Sequence, residues 1–352
     1  MKAFHQSAHI RALANMVDGK VYWVVQEVLS QERCNLGWFD PDSGKAEVIV
    51  NPDEKLVNHL IRSSSNDTVH IFSGTSSFPL VRCAFNQVRS PESTIGLLVE
   101  NRDDQGVRGL ERLMRYRFNH MRFGNRIHFI LCMGYTGEHG GRNWYAKCGY
   151  SEKIIFPYGY FPETPSDDAI HLDINRNEYK IVYIGQLIQR KRIDLLLKAL
   201  SHIGHLNWSL DIIGSGPLRE PLIKLSTGLG IADKVHFQPA MSNIDAMKVL
   251  DSSDLLVLPS RFDGWGVVIN EALLRGVPVV CSDRCGGQDL LLEKWRGETF
   301  RSGSMEDLSS VLRRKISEGP PAKDLRDKIR NWTIRNASGE RAAKYFLRMS
   351  QR

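Results

Sequence analysis

The chain has 352 residues, 42% of them hydrophobic and 25% charged, which is an ordinary globular composition and a length that calls for two cores rather than one. No stretch approaches the roughly 20 consecutive apolar residues of a membrane span, and the first twenty residues hold no apolar signal core, so a cytoplasmic protein is expected. The net charge is +7, yet the basic residues form no single long run. That speaks against a nucleic-acid arm and for an anionic ligand or an anionic membrane surface as the counterpart.

Residues 1–19 show no helical or strand periodicity, as expected of a frayed terminus. The chain then alternates. Val21–Val25, Glu47–Val50, Thr68–Phe72, Thr94–Val99, Ile127–Cys132 and Lys153–Phe156 are short, β-branched and apolar, the pattern of parallel strands buried on both faces. Phe78, Val81, Ala84, Phe85 and Val88 recur at helical spacing. Arg108, Arg112, Arg115, Arg117, Arg122 and Arg126 accompany an apolar stripe of Leu110, Leu113, Met114, Phe118 and Met121. Two readings stand: a packed helix with a solvated basic face, or a basic amphipathic helix on an anionic membrane.

The segment 161–178 carries Pro162, Pro165 and scattered acids without periodicity and is predicted to be a linker. Beyond it, strands are predicted at Lys180–Ile184, Ser209–Ile213, Val235–Gln238, Asp254–Leu258 and Pro278–Ser282, with helices between them. Ser242 with Asp245, and Ser304 with Asp307, resemble helix-opening caps. Val267–Arg275 is predicted helical with Gly276 as its cap, and Ala322–Arg352 wholly helical. Domain boundaries follow: 1–160, then a linker, then 179–330, with 331–352 returning as a C-terminal helix to the first domain. The six cysteines include one close pair, Cys281 and Cys285, with no second pair to complete a zinc site, so no metal is expected.

The most informative stretch is 259–287, PSRFDGWGVVINEALLRGVPVVCSDRCGG. Asp263 and Glu271 bracket a Gly264-Trp265-Gly266 loop that leads into a helix. Such a loop lets a ligand approach the backbone, and the amides of Val267 and Val268 face an anion there. This stretch resembles the signature of family 4 glycosyltransferases, the retaining group with the GT-B fold. It departs at Asp263, where Glu is more usual, and at Asp289. Upstream, Gly185-Gln186-Leu187 followed by Arg190 and Lys191 looks like the family's Gly-Arg-Leu loop and its diphosphate-binding lysine. Gln186 stands where Arg is common and Arg192 where Gly is common, and Arg190 or Arg192 is the candidate substitute. Gly214-Ser215-Gly216-Pro217 is similar to the family's Gly-x-Gly-Pro turn, and Gln238 falls where its base-contacting loop lies.

The resemblance implies an α/β protein of GT-B architecture, two Rossmann-like domains with parallel sheets facing across a cleft. It implies transfer of a sugar from a nucleotide-diphosphate sugar to a glycan or lipid-linked acceptor, with no further cofactor, and the N-terminal half looks like capsule- or exopolysaccharide-type members. Lys191 and the Val267 and Val268 amides would hold the diphosphate, Asp263 the sugar hydroxyls and Glu271 the ribose. Glu100 falls about where relatives place an acceptor-side catalytic residue. His70, Ser73 and Gly74 end a neighbouring strand, where ligands of open α/β sheets collect; His70 reads equally as a core histidine. The rival readings are a nucleotide-sugar epimerase or phosphorylase on the same fold, and a non-catalytic basic binder. A nicotinamide dehydrogenase is disfavoured, because no Gly-x-Gly-x-x-Gly follows a strand.

Overall fold

The computed structural model describes residues 4–27, 42–65, 67–75, 78–88, 93–165 and 178–350. The described chain divides into two units, one running to Glu163 and resuming at Ser338, the other covering Thr164 to Ala337. Residues 166–177 of the expected linker lie outside the described residues, as does Cys34.

Among its described residues the first unit holds six strands: β1 (Tyr22–Val25), β2 (Glu47–Val50), β3 (Val69–Phe72), β4 (Thr94–Glu100), β5 (Phe129–Met133) and β6 (Ile155–Tyr158). β1 and β2 pair parallel to each other, and β3-β4-β5-β6 form a parallel sheet in sequential order. β5 is buried at every residue because helices cover both faces of a parallel sheet.

Residues 4–16 are not a frayed terminus. They form a helix that packs on the C-terminal helix Gly339–Ser350, with Ile10 and Ala14 in one cluster with Trp23 and Val25. Short residues, rather than a long apolar stripe, do this work, so periodicity misses it. Gly339 is the closest approach: a Cβ there would stand 2.4 Å from the Ala8 carbonyl carbon. The tail expected to be wholly helical forms two helices, Lys323–Asn336 and Gly339–Ser350. Thr333 bonds back to Ile329 through its hydroxyl, and Ser338 caps the new start, its Oγ accepting from Arg341 N at 3.3 Å.

The second unit carries β7 (Tyr179–Ile184), β8 (Trp208–Ile213), β9 (Val235–Gln238), β10 (Leu255–Leu258), β11 (Val279–Ser282) and β12 (Gly297–Phe300). All are parallel, in the order β12-β11-β10-β7-β8-β9. β10 and β11 are buried throughout, as their unbroken apolar sequences require. β12 escapes sequence detection because it reads Gly-Glu-Thr-Phe; it is an edge strand whose Glu298 is held by Arg314 and Lys315. Both predicted caps form, Ser242 Oγ accepting from Asp245 N at 3.1 Å and Ser304 Oγ from Asp307 N at 3.2 Å.

If the helix pair at the chain termini is part of the fold, Gly339→Ala should disturb it by overpacking, by about 1–3 kcal/mol. Amide hydrogen exchange of residues 4–16 should then speed up by on the order of ten- to a hundredfold. Unchanged protection would show that the contact carries no stability.

Candidate active site

Strand order in the second sheet reverses between β7 and β10. The chain builds outward from β7 in one direction, then returns to β10 and builds in the other. The helices after these two strands diverge, which leaves a crevice beyond their carboxyl ends. The loop after β7 delivers Lys191, and the loop after β10 delivers Asp263. The two side chains meet in an ion pair, each 13% exposed.

Each loop is fixed by its own backbone. Asp263 N donates to the Arg284 carbonyl at 3.0 Å, and the Asp263 carbonyl accepts from Gly286 N at 3.0 Å, so the loop after β10 runs beside the turn after β11. Arg190 Nη1 donates to the Phe262 carbonyl at 2.7 Å and lies 3.9 Å from Asp263 Oδ2. Arg261 N in turn donates to the Arg190 carbonyl at 2.8 Å. The lysine and aspartate loops are thus laced together by main chain as well as by charge.

Arg192 occupies the left-handed region at φ 52°. That conformation costs a non-glycine residue about 1–2 kcal/mol. Its guanidinium is bonded to Asp194 at 3.0 Å and 3.1 Å, so of the two arginines expected to substitute at a diphosphate, Arg190 is the one beside Asp263. Gln186 is exposed, and its carbonyl accepts from the buried Tyr183 hydroxyl at 2.9 Å. Burial, with the Asp263 charge behind it, raises the Tyr183 phenol pKa, so that group stays a neutral donor.

The Gly214-Ser215-Gly216 turn after β8 lies against the β7 loop. Leu187 N donates to the Ser215 carbonyl at 2.8 Å. A Cβ on Gly214 would stand 1.9 Å from the Gly185 carbonyl oxygen, so no other residue fits. Gln238, at the end of the edge strand β9, donates its side-chain amide to Asp211 at 2.8 Å, and its carbonyl accepts from Gly214 N at 3.2 Å.

The glycine loop is held by its own tryptophan, and the helix behind it is shorter than the expected Val267–Arg275. Trp265 is a buried prop: its indole N–H donates to Asn270 Oδ1 at 2.6 Å, and its carbonyl accepts from Gly287 N at 2.7 Å. What the loop offers a ligand at Gly264, Trp265 and Gly266 is therefore backbone. The helix behind it spans Val268–Leu274, seven residues, with Val267 at its cap and no side-chain cap bond. So short a helix has little macrodipole, and the attraction for an anion rests on its first amides, which have no intrahelical partner.

Glu271 stands one turn in. Asn243 Nδ2 donates to it at 3.4 Å, a partner that sequence reasoning missed because it comes from the helix before β10. Burial raises its pKa above the ordinary carboxyl value, partly offset by Asn243 and by the charge of Arg275.

In the first unit the expected acceptor-side residues separate. Glu100 closes β4 and accepts from the Tyr160 hydroxyl at 2.7 Å, while its carbonyl accepts from Tyr145 at 3.4 Å. His70 stacks on Phe72 and its pKa is lowered by burial, the behaviour of a core histidine. Ser73 is exposed, and Gly74 lines a cavity described below. The helix Gly106–Phe123 packs through Leu113, Tyr116 and Phe123 with Arg108, Arg115, Arg117 and Arg122 exposed, but Leu110, Met114, Phe118 and Met121 of the expected stripe are exposed too, with Val107. Arg126 is structural, donating to the Phe85 carbonyl at 2.8 Å with its guanidinium over the Phe85 ring.

Two units of alternating helix and parallel strand, with charged loops at a strand-order reversal, define the GT-B class. Solved structures agree. The lipopolysaccharide outer core galactosyltransferase WaaB, in its apo form, aligns over 94% of this chain and 99% of its own with a TM-score of 0.68 at 17% identity. Anabaena HepE in complex with UDP and glucose aligns over 100% and 96% with a TM-score of 0.69 at 12% identity.

The second unit is more closely placed. Residues 167–332 match the family described as glycosyl transferases group 1. Sequence relatives include an uncharacterized glycosyltransferase of Methanocaldococcus jannaschii, 32% identical over 36% of this chain and 33% of its own. The D-inositol 3-phosphate glycosyltransferase of Mycobacterium sp. (strain JLS) is 27% identical over 52% and 40%. The chain spans only 26–43% of the length of the first curated relatives it matches.

The raised pKa of Glu271 carries a pH signature. A carboxyl whose folded pKa exceeds its unfolded value of 4.5 contributes stability below that value and loses it as pH rises through the folded pKa. Ligand-free Glu271→Gln should therefore match wild type at low pH and become the more stable protein as pH rises toward neutrality. Denaturant titrations across that range check the sign; a wild type that gains on the variant with rising pH would contradict it.

Proposed function

We propose that the protein is a retaining glycosyltransferase that moves a sugar from a nucleoside-diphosphate sugar to a glycan or lipid-linked acceptor in surface polysaccharide assembly. The observation that carries this reading is the Lys191–Asp263 pair at the strand-order reversal. In the transfer, the bond between the anomeric carbon and the diphosphate oxygen breaks, its electron pair leaves with the diphosphate, and the acceptor hydroxyl oxygen bonds to the anomeric carbon as its proton passes to the departing diphosphate oxygen. The transition state places negative charge on the diphosphate and positive charge on the sugar ring. Lys191 brings three N–H donors, so its ammonium can stay on Asp263 and still donate to a phosphate oxygen. Asp263 brings acceptors for sugar hydroxyls and negative charge near the cationic ring. With Arg190 adjacent, fixed side-chain cations take the part a divalent metal would play, and chelators should leave turnover intact.

The roles separate experimentally. Lys191→Ala should lower turnover by about 10²–10³-fold, the range for one preorganised charge-stabilising donor. Glu271→Ala should weaken the preferred nucleoside diphosphate by about ten- to a hundredfold, the worth of a hydrogen bond to a charged group. Asp263→Ala should leave nucleotide affinity unchanged or raised, since it frees Lys191, while depressing turnover. Calorimetry and product analysis by NMR read all three. An Asp263 variant that loses nucleotide affinity reverses the roles, and donor sugar isomerised without an acceptor points to the epimerase.

Among the described residues no helix is long and apolar enough to cross a membrane. The exposed stripe on Gly106–Phe123 supports peripheral docking of a cytoplasmic enzyme instead. Met121 is 76% exposed and Val107 75%, and Arg108, Arg115, Arg117 and Arg122 are exposed around them. Apolar side chains rimmed by arginine suit an anionic bilayer surface, where each basic residue contributes about 1 kcal/mol. The protein should sediment with phosphatidylglycerol vesicles at low salt, and Phe118→Asp with Met121→Asp should abolish this. Equal binding to phosphatidylcholine vesicles, or none, counts against the helix as an anchor.

A further inference from the structure

The same helix has a third face. At about 100° per residue, Arg112, Arg115 and Asn119 lie between the buried row and the exposed apolar stripe. With Arg102, Tyr116 and Tyr145 they wall a cavity of about 350 Å³ beyond the carboxyl ends of β3 and β4. Arg102 follows β4 by two residues. The rim includes Gly74 and Thr75, from the loop after β3.

The charge balance of this cavity is one-sided. Among the described residues, three arginines line it and no carboxylate does. Arg112 spends one N–H on the Asp103 carbonyl, and Arg102 and Arg115 lie with their guanidinium carbons 5.9 Å and 6.0 Å from the Tyr116 ring centroid. Arg102 Nε is buried and has no hydrogen-bond partner. The nearby acid, Glu100, is turned to Tyr160. A buried guanidinium N–H left unpaired is unfavourable. That penalty is relieved when an anion with several acceptor oxygens enters.

We propose that this cavity binds the phosphate group of a phosphorylated acceptor headgroup. Guanidinium forks match phosphate oxygens two at a time. The volume lies at the lower end of the range for small-molecule pockets, roughly 300–1,000 Å³, so it holds a small polyol or sugar phosphate rather than a bare ion alone. The tyrosine rings supply flat walls for such a ring or chain. The proposal deepens the glycosyltransferase reading by naming the acceptor's chemistry, and it rests on that reading for its biological sense. Its test does not, because it is read as binding without transfer.

The probes are inorganic phosphate and glycerol 3-phosphate, titrated calorimetrically into the full chain carrying Lys191→Ala, which removes the donor-side cation. Glycerol 3-phosphate should bind more tightly than phosphate, and Arg102→Gln should weaken it by about ten- to a hundredfold. Arg115→Gln, at an exposed helix position that folding does not need, should weaken it by a similar factor. Absence of binding at millimolar ligand overturns the proposal, as does binding that neither substitution changes. A second arm separates the two sources of such a headgroup. If glycerol 3-phosphate displaces the protein from phosphatidylglycerol vesicles, the cavity takes the headgroup of a lipid. If it binds without displacing, the phosphate belongs to a soluble acceptor and the vesicle contact is made elsewhere.

Discussion

A parallel sheet whose strand order reverses cannot cover the carboxyl ends of the two strands at the reversal, and everything functional in the second unit depends on that uncovered place. Strands β7 and β10 are neighbours, yet about seventy residues of chain separate them. Their opposite ends are used differently. At the amino ends, Asp254 accepts from Lys180 N at 2.9 Å and pairs with Arg326 at 3.0 Å, and Arg326 also donates to the Ser253 carbonyl. This pair is almost wholly buried, and breaking it would leave an uncompensated charge in the core, which is why such pairs are costly to mutate. At the carboxyl ends the same two strands present Lys191 and Asp263, whose loops are equally well fixed but remain open to a ligand. The fold seals one end of the strand pair and keeps the other in reach.

Much of this was legible in the sequence, and the legible parts share a physical cause. The strands of the second unit read as unbroken apolar runs because both faces are covered. The caps at Ser242 and Ser304 read correctly because one hydroxyl three residues ahead of an amide is a local matter. The Lys191 and Asp263 candidates came from family likeness in loops whose glycines are dictated by close backbone approach, as at Gly214. What was not legible is nonlocal or weakly apolar. The helix at residues 4–16 buries alanines against Gly339, more than three hundred residues away, and shows no stripe. β12 is polar because it stands at the sheet edge. The glycine loop around Trp265 is legible as a ligand-binding turn, but that its indole is a buried prop is shown only by its bond to Asn270.

The arginine-rich helix is the sharpest failure of one-dimensional reading. Its apolar residues were assigned to one stripe, but Leu113 and Met114 are adjacent in sequence and about 100° apart around the helix. One enters the core and the other is exposed. A helix that needed only to pack would carry polar residues on its outer face. This one carries Val107, Leu110, Met114, Phe118 and Met121 there, at the expense of solubility. Its arginines likewise divide by neighbour: Arg126 is spent on the Phe85 carbonyl and ring, while Arg112 and Arg115 line the cavity.

The two units thus treat positive charge in opposite ways. In the second, each cation near the strand-order reversal already has a protein acceptor: Lys191 has Asp263, Arg190 the Phe262 carbonyl, and Arg192 Asp194. Such an arrangement holds its geometry before a ligand arrives, and a preorganised site spends little free energy on reorganisation when charge develops. In the first, Arg112 has the Asp103 carbonyl, but no carboxylate lines the cavity among the described residues, and Arg102 Nε is left for a ligand. A group whose charge changes during reaction is best met by a fixed dipole or ion pair, whereas a group that must only be caught and held is best met by uncompensated charge. The excess of positive charge is therefore not spread evenly over function: the cations held at Asp263 and its loop suit a departing diphosphate, and those lining the cavity suit an anion that enters and leaves unchanged.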